Sequence, residues 1–203
     1  MSDDYRRRLI AVIAINAAMF LVEVTAGQLS GSQALQADAL DFLADSLTYG
    51  ASLAVIGMAL RTRSIVALAK GVSLAAMGFW VLGSTIYQML AVDVPSAEIM
   101  GAVGLLALVA NLASVLILVR HKDGDANVRS VWLCSRNDAI GNIVVMIAAI
   151  GVWGSSTGWP DLIVAAIMAG LFLTSSVKIL RQAWHEYHFG HVGEPSEVHS
   201  HSH

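Results

Sequence analysis

"ALQADALDFLADSLTYG", residues 34–50, is the stretch on which the fold turns. Three aspartates, Asp38, Asp41 and Asp45, stand inside an otherwise apolar run. The chain around them is 56% hydrophobic and 13% charged, whereas a soluble domain carries roughly a quarter charged residues. Mean hydropathy is +0.66. Apolar segments recur along the chain, and about 20 apolar residues are enough for a helix to cross a bilayer. The composition is that of an integral membrane protein, with no room for a soluble core beside it. Residues 34–50 then belong to a crossing helix, and their carboxylates need a reason to be there.

Working outward, six spans are expected near 9–29, 33–60, 64–91, 98–119, 130–153 and 160–181. The second and third are generous and include cytoplasmic extensions. Strand alternation is absent, so the fold class is an all-α membrane protein, a six-transmembrane-helix bundle and not a barrel. Residues 1–183 are expected to form one six-span transmembrane domain. Residues 184–203 form a polar, His-rich tail with few apolar residues, expected to be disordered and cytoplasmic. No second domain is expected after it. The start, "MSDDYRRRLIAVIAINAAMF", mimics a signal peptide, but its apolar run continues through Glu23 as a full span with no clear cleavage site.

The basic residues set the orientation. Arg6, Arg7 and Arg8 precede the first span, and Arg61, Arg63 and Lys70 lie at the second-to-third junction. Arg120, Lys122 and Arg129 lie at the fourth-to-fifth junction, and Lys178 and Arg181 close the sixth span. The other three connections carry no Lys or Arg, so both termini are cytoplasmic by the positive-inside rule. Arg136, inside the fifth span, is the exception. The net charge of −3 says little, because charge here matters by position. Trp132, Trp153 and Trp159 sit near the expected interfaces, as belt residues do. The one cysteine, Cys134, excludes an intramolecular disulfide and a Cys-rich zinc module.

Charges at mid-membrane are costly, and their default reading is functional. Glu23, Asp38, Asp41, Asp45 and Asp138 all fall within spans. Residues four apart share a helix face, so Asp41 and Asp45 can present two ligands to one point, with Asp38 a turn before them. Cys134 and Asp138 repeat that spacing in the fifth span. Both pairs lie near the middle of antiparallel spans and can meet at a similar depth. Three carboxylates and a thiolate suit a four-coordinate divalent cation: Zn²⁺, or softer Cd²⁺. The alternative is that these acids only make interhelical hydrogen bonds or pair with Arg136. Asp38 reads as a supporting group, a packing contact or a further ligand, and Glu23 as a packing or gating charge. Arg136 points about 200° around the helix from Cys134 and Asp138, away from the site, and is expected to pair with Glu23 or snorkel. Asn142 continues the Asp138 face and can either hydrogen-bond a ligand or join helices.

The motif "ALQADALDFLADSL" resembles the second-span motif of the cation diffusion facilitator family, a ligand pair of Asp or His followed four residues later by Asp. Asp41 and Asp45 occupy that pair. "VWLCSRNDAIGNIVVMIAA" resembles the family's fifth-span motif, His-x-x-x-Asp followed by small residues. Asp138 matches the aspartate, and Cys134 stands where the histidine is expected. The resemblance covers about 9–182. It implies metal ligation by Asp41, Asp45, Cys134 and Asp138, and efflux of a divalent cation (Zn²⁺, with Cd²⁺, Co²⁺ or Fe²⁺ as further cargo) in exchange for protons by alternating access. A thiol in place of the imidazole departs from the pattern and changes the metal preference. The family usually carries a cytoplasmic metal-binding domain after the sixth span. This chain is expected to be a short form without it, so that a homodimer would rest on the membrane helices or on another protein.

Metal and protons would compete for Asp41, Asp45 and Asp138. No nucleophile–base arrangement is visible, so no enzyme activity and no cofactor are expected. The partners are divalent metal ions, protons and the lipid bilayer; no basic face suits nucleic acid. The tail histidines, 185, 188, 191, 199, 201 and 203, are candidates for auxiliary metal capture. The expected location is a bacterial inner membrane. The alternative function is a membrane accessory or sensor subunit that binds metal without transporting it.

Overall fold

The computed structural model describes residues 3–54, 60–91, 94–119 and 126–189. They form six helices: α1 (Asp3–Ser30), α2 (Gln33–Ala54), α3 (Leu60–Ala91), α4 (Ala97–Leu118), α5 (Ala126–Ser155) and α6 (Trp159–Phe189). No strand occurs among the described residues. Five helices (α1, α3, α4, α5 and α6) are long and apolar enough to cross a membrane. The exception is α2, whose 22 residues hold Asp38, Asp41 and Asp45 in every stretch of crossing length. The protein is an integral membrane protein built as a six-helix bundle.

The packing explains how α2 is tolerated. It lies against α1, α3, α5 and α6. Of its large hydrophobic side chains only Leu47 is half exposed, whereas α1, α3, α4, α5 and α6 each show several to the outside. The outer helices thus present the apolar surface, and the polar helix is wrapped by them. The closest pairings are α3 with α6, α1 with α2, and α4 with α5. Small residues permit the first of these: a Cβ on Gly71 would stand 2.8 Å from Leu180, and one on Gly78 2.9 Å from Leu173. Ser176 of α6 donates to the Gly71 carbonyl at 2.8 Å, pinning the same crossing. Close backbone approach at small residues is what drives helix association in lipid, where the hydrophobic effect is absent.

The turn from α1 into α2 is fully specified. Gly31 takes φ +72°, and the Ser32 N–H returns to the Gly27 carbonyl at 3.1 Å. This is the glycine-ended helix stop in which the left-handed residue lets later amides reach back to the last turn. The Ser32 hydroxyl then accepts the Leu35 N–H at 3.0 Å and caps α2. Two differences from the sequence expectations concern lengths. Residues 55–59, expected to finish the second span, lie outside the described residues, and α3 begins at Leu60 instead of 64. Helix α6 runs on to Phe189, past the expected domain limit at 183, so His185 and His188 are helical; the apolar and aromatic spacing of Ala183, Trp184 and Tyr187 prolongs the helix. The tail histidines from 191 onward lie outside the described residues.

Candidate metal-binding site

Helix α1 runs antiparallel to α2, and three contacts fix their register. Gln36 Nε2 donates to the Gly27 carbonyl at 3.4 Å. Asn16 Nδ2 lies 3.5 Å from Asp45 Oδ2. Glu23 faces Asp38 across the two helices. Glu23 is fully buried, and neither of its carboxylate oxygens finds a donor among the described residues. Asp38 is 2% exposed. The two acids form a buried pair one turn along α2 from Asp41.

Asp138 of α5 lies on the side of Asp41 and Asp45 of α2, near enough to interact with both. The α2 pair and the α5 aspartate are therefore neighbours across the two helices. Asp45 is further held on its own helix, where the Tyr49 hydroxyl donates to Oδ2 at 2.6 Å. Lys70 of α3 is close enough to act electrostatically on Asp45. With Oδ2 turned toward Tyr49 and Asn16, the three carboxylates approach pairwise. Among the described residues no three His, Cys, Asp or Glu side chains converge on one metal-sized point.

The fourth candidate, Cys134, lies on α5 one turn before Asp138. Its side chain lies outside the described residues. Arg136 is exposed and donates to Asn137 Oδ1 at 3.4 Å. It does not approach Glu23, whose charged neighbours are Asp38 and Asp41. Glu23 sits two helical turns along α1 from Asn16, the residue that marks the depth of Asp45, and this separation keeps the expected pair apart. Asn142 is fully buried, and neither side-chain atom has a hydrogen-bond partner among the described residues.

Two polar contacts of the site escape the sequence reading. Tyr49 follows Asp45 at i+4, so its spacing was available as a signal. Asn16 is a lone amide in an apolar span, with nothing in the sequence to mark its partner. A hydrophobic cluster of Tyr49 with Tyr5, Leu9, Val12 and Leu118 holds the tyrosine ring still, so its hydroxyl is aimed along α2.

Residues 9–186 match the family model for the cation efflux transmembrane domain. The chain belongs to the cation efflux family. Its similarity to curated members runs through the whole bundle. It is 26% identical to the zinc transporter ZitB of Yersinia pestis over 97% of this chain and 66% of that protein. It is 28% identical to the zinc transporter ZitB of Escherichia coli over 91% of this chain and 63% of that protein. The cadmium, cobalt and zinc/H(+)-K(+) antiporter of Bacillus subtilis is 25% identical over 87% of this chain and 61% of its own length. The chain thus spans 66% or less of the length of each of these relatives. The family assignment agrees with the resemblance carried by the second- and fifth-span motifs, which sit on α2 and α5.

Proposed function

We propose that the chain moves divalent metal cations, zinc foremost, out of the cytoplasm across a bacterial inner membrane, exchanging them for protons by alternating access. The observation that carries this reading is the approach of Asp138 on α5 to Asp41 and Asp45 on α2, inside a cation efflux bundle. Asp41, Asp45 and Asp138 supply hard oxygen donors, and Cys134 would add a thiolate from the next turn of α5. Such a mixed set favours Zn²⁺ and extends the range toward Cd²⁺. Relatives named for zinc, and one named for cadmium, cobalt and zinc, support the same cargo class.

In this reading the chain's residues divide the work. The three aspartates exchange protons for the cation, because a ligating carboxylate must be deprotonated. Tyr49 and Asn16 orient Asp45 through its Oδ2 and leave Oδ1 for the cation. Lys70 offsets negative charge while the aspartates are between cargoes. No bond is made or broken in the cargo, so the protein acts as a carrier and not as an enzyme.

The test is Zn²⁺ and Cd²⁺ uptake into proteoliposomes under an imposed pH gradient. Wild type is compared with Asp45→Asn, Asp138→Asn and Cys134→Ser. The expected result is flux in wild type, its loss in both aspartate variants, and an altered Zn²⁺/Cd²⁺ ratio in the serine variant. Stoichiometric binding without flux would instead mark a metal-binding accessory subunit. Neither binding nor flux would remove the metal reading altogether.

A further inference from the structure

Asp161, in the first turn of α6, is 1% exposed, and its carboxylate is spent on another helix. Its Oδ1 accepts from the Ser32 hydroxyl at 2.6 Å and from the Ala34 N–H at 3.0 Å. Its Oδ2 accepts from the Gln33 N–H at 2.8 Å. These donors are the cap and the first amides of α2, which have no partner within their own helix. The carboxylate also sits at the positive end of the α2 dipole. Asp161 is therefore a cap supplied in trans, from α6 to α2.

What fixes Asp161 is equally specific. Its neighbour Pro160 packs against Gly151 of α5, where an added Cβ would stand 2.9 Å from the Pro160 ring. The start of α6 is thus wedged against α5 and tied to α2. This gives a chain of contacts from α5 through Pro160 and Asp161 to the first turn of α2. The two helices it joins carry the aspartates of the candidate site, and they pack against each other only slightly. At 1.5 Å per residue, Asp45 lies about 16.5 Å along α2 from Ala34, and Asp138 about 19.5 Å along α5 from Gly151. The tie therefore puts both carboxylates at nearly the same depth, within the reach of their side chains.

We infer that Asp161 is a positioning residue for the metal site: through Pro160 it registers α2 against α5, and so sets Asp41 and Asp45 opposite Asp138. This rests on the reading of that site as the cation's seat. Asp161 touches no cargo and acts only through α2. An asparagine cannot replace it, because both backbone partners are N–H donors that cannot reverse, and one would face the amide's NH₂.

The experiment uses the full chain in lipid nanodiscs, with Zn²⁺ as probe. Asp161→Asn is expected to weaken Zn²⁺ binding in calorimetry by roughly tenfold or more, as removal of outer supports of a metal site does. Asp161→Glu is expected to recover part of the loss. Ser32→Ala, which removes one of three bonds and keeps the backbone pair, is expected to shift affinity the same way by less. It stands in if Asp161→Asn fails to fold. A lowered melting temperature with unchanged Zn²⁺ affinity in these variants would reduce Asp161 to a plain cap and overturn the inference. Position is read separately from metal, by the spin-label distance between Leu47→Cys on α2 and Ile140→Cys on α5 in a Cys134→Ser background, both sites being about half exposed. Asp161→Ala is expected to displace that distance by about the rise of one residue, 1.5 Å. An unmoved distance overturns the inference. A moved distance in a wild type that neither binds nor carries Zn²⁺ upholds the registering tie and refutes the function instead.

Discussion

Tyr49→Phe isolates the support of one carboxylate. The substitution deletes a hydroxyl and nothing else, and Phe keeps the ring that packs with Tyr5, Leu9, Val12 and Leu118. Two groups hold Asp45 Oδ2, but unequally: the Tyr49 bond is 2.6 Å and the Asn16 contact 3.5 Å. The short one carries most of the restraint, because hydrogen bonds weaken steeply beyond ordinary contact distance. A bond to a charged acceptor contributes roughly 1.5–3 kcal/mol. Only part of this separates the free from the loaded state, since the bond exists in both. What is lost is the fixed orientation of Asp45, and loss of such outer partners costs about 10- to 100-fold in metal affinity. The expected effect is at the lower end, about tenfold, or about 1.4 kcal/mol. Zn²⁺ titration of purified Tyr49→Phe against a competing chelator reads this directly, with the melting temperature as a control. An unchanged or tightened affinity at an unchanged melting temperature would refute the claim that Tyr49 orients a ligand, and would recast it as a competitor for Asp45.

Further outcomes follow from the packing and from the acids. Gly71→Ala forces a Cβ to 2.8 Å from Leu180 and is expected to cost about 1–3 kcal/mol in thermal or denaturant unfolding, as overpacking does; no loss would mean that α3 and α6 separate at little cost. Ser176→Ala removes the bond to the Gly71 carbonyl and should destabilise by about 0.5–1.5 kcal/mol by the same measure. Asn142→Ala breaks no hydrogen bond among the described residues, so its unfolding free energy should stay within about 1 kcal/mol of wild type; a larger fall would reveal a partner such as an ordered water. Apparent Zn²⁺ affinity should rise with pH, because protons and the cation compete for the same carboxylates, and a flat profile between acid and neutral pH would count against that competition.

Much of this arrangement is legible in the sequence, and the reasons differ by residue. That Asp41, Asp45 and Asp138 lie on neighbouring helices can be read because it follows from local helical geometry plus one antiparallel pairing. The six helices can be read because lipid forces hydrogen bonding within each segment. The partner of Glu23 is misread when charge alone is considered: Arg136 offers the opposite sign, but depth separates the two, and like-charged Asp38 is what lies opposite. Asp161 is illegible for another reason. Its partner Ser32 is 129 positions away, and an aspartate in the first turn of α6 already has an ordinary explanation as a favourable dipole charge on its own helix. Local sufficiency hides a long-range role.

The three aspartates at 38, 41 and 45 are what exclude α2 from the helices apolar enough to cross a membrane by themselves. A helix of that kind is stable in a bilayer only when other helices keep lipid from it, and α2 is so covered on four sides. The cover comes from helices whose exposed faces are apolar and whose inward contacts are small residues such as Gly27, which meets Gln36. The arrangement has a consequence for motion. Because α2 cannot leave the bundle without exposing its carboxylates, the proposed transport would have to change access by movement of the surrounding helices, or by a small slide of α2 within them. The cap from Asp161 opposes the slide at one end, and the contact from Asn16 of α1 to Asp45 opposes it toward the other. Helix α2 is thus the restrained part of the bundle, tied to α6 through Asp161 and sharing a core with α5 in which Ala34 and Leu35 join Val145, Ala148, Ala149 and Val152.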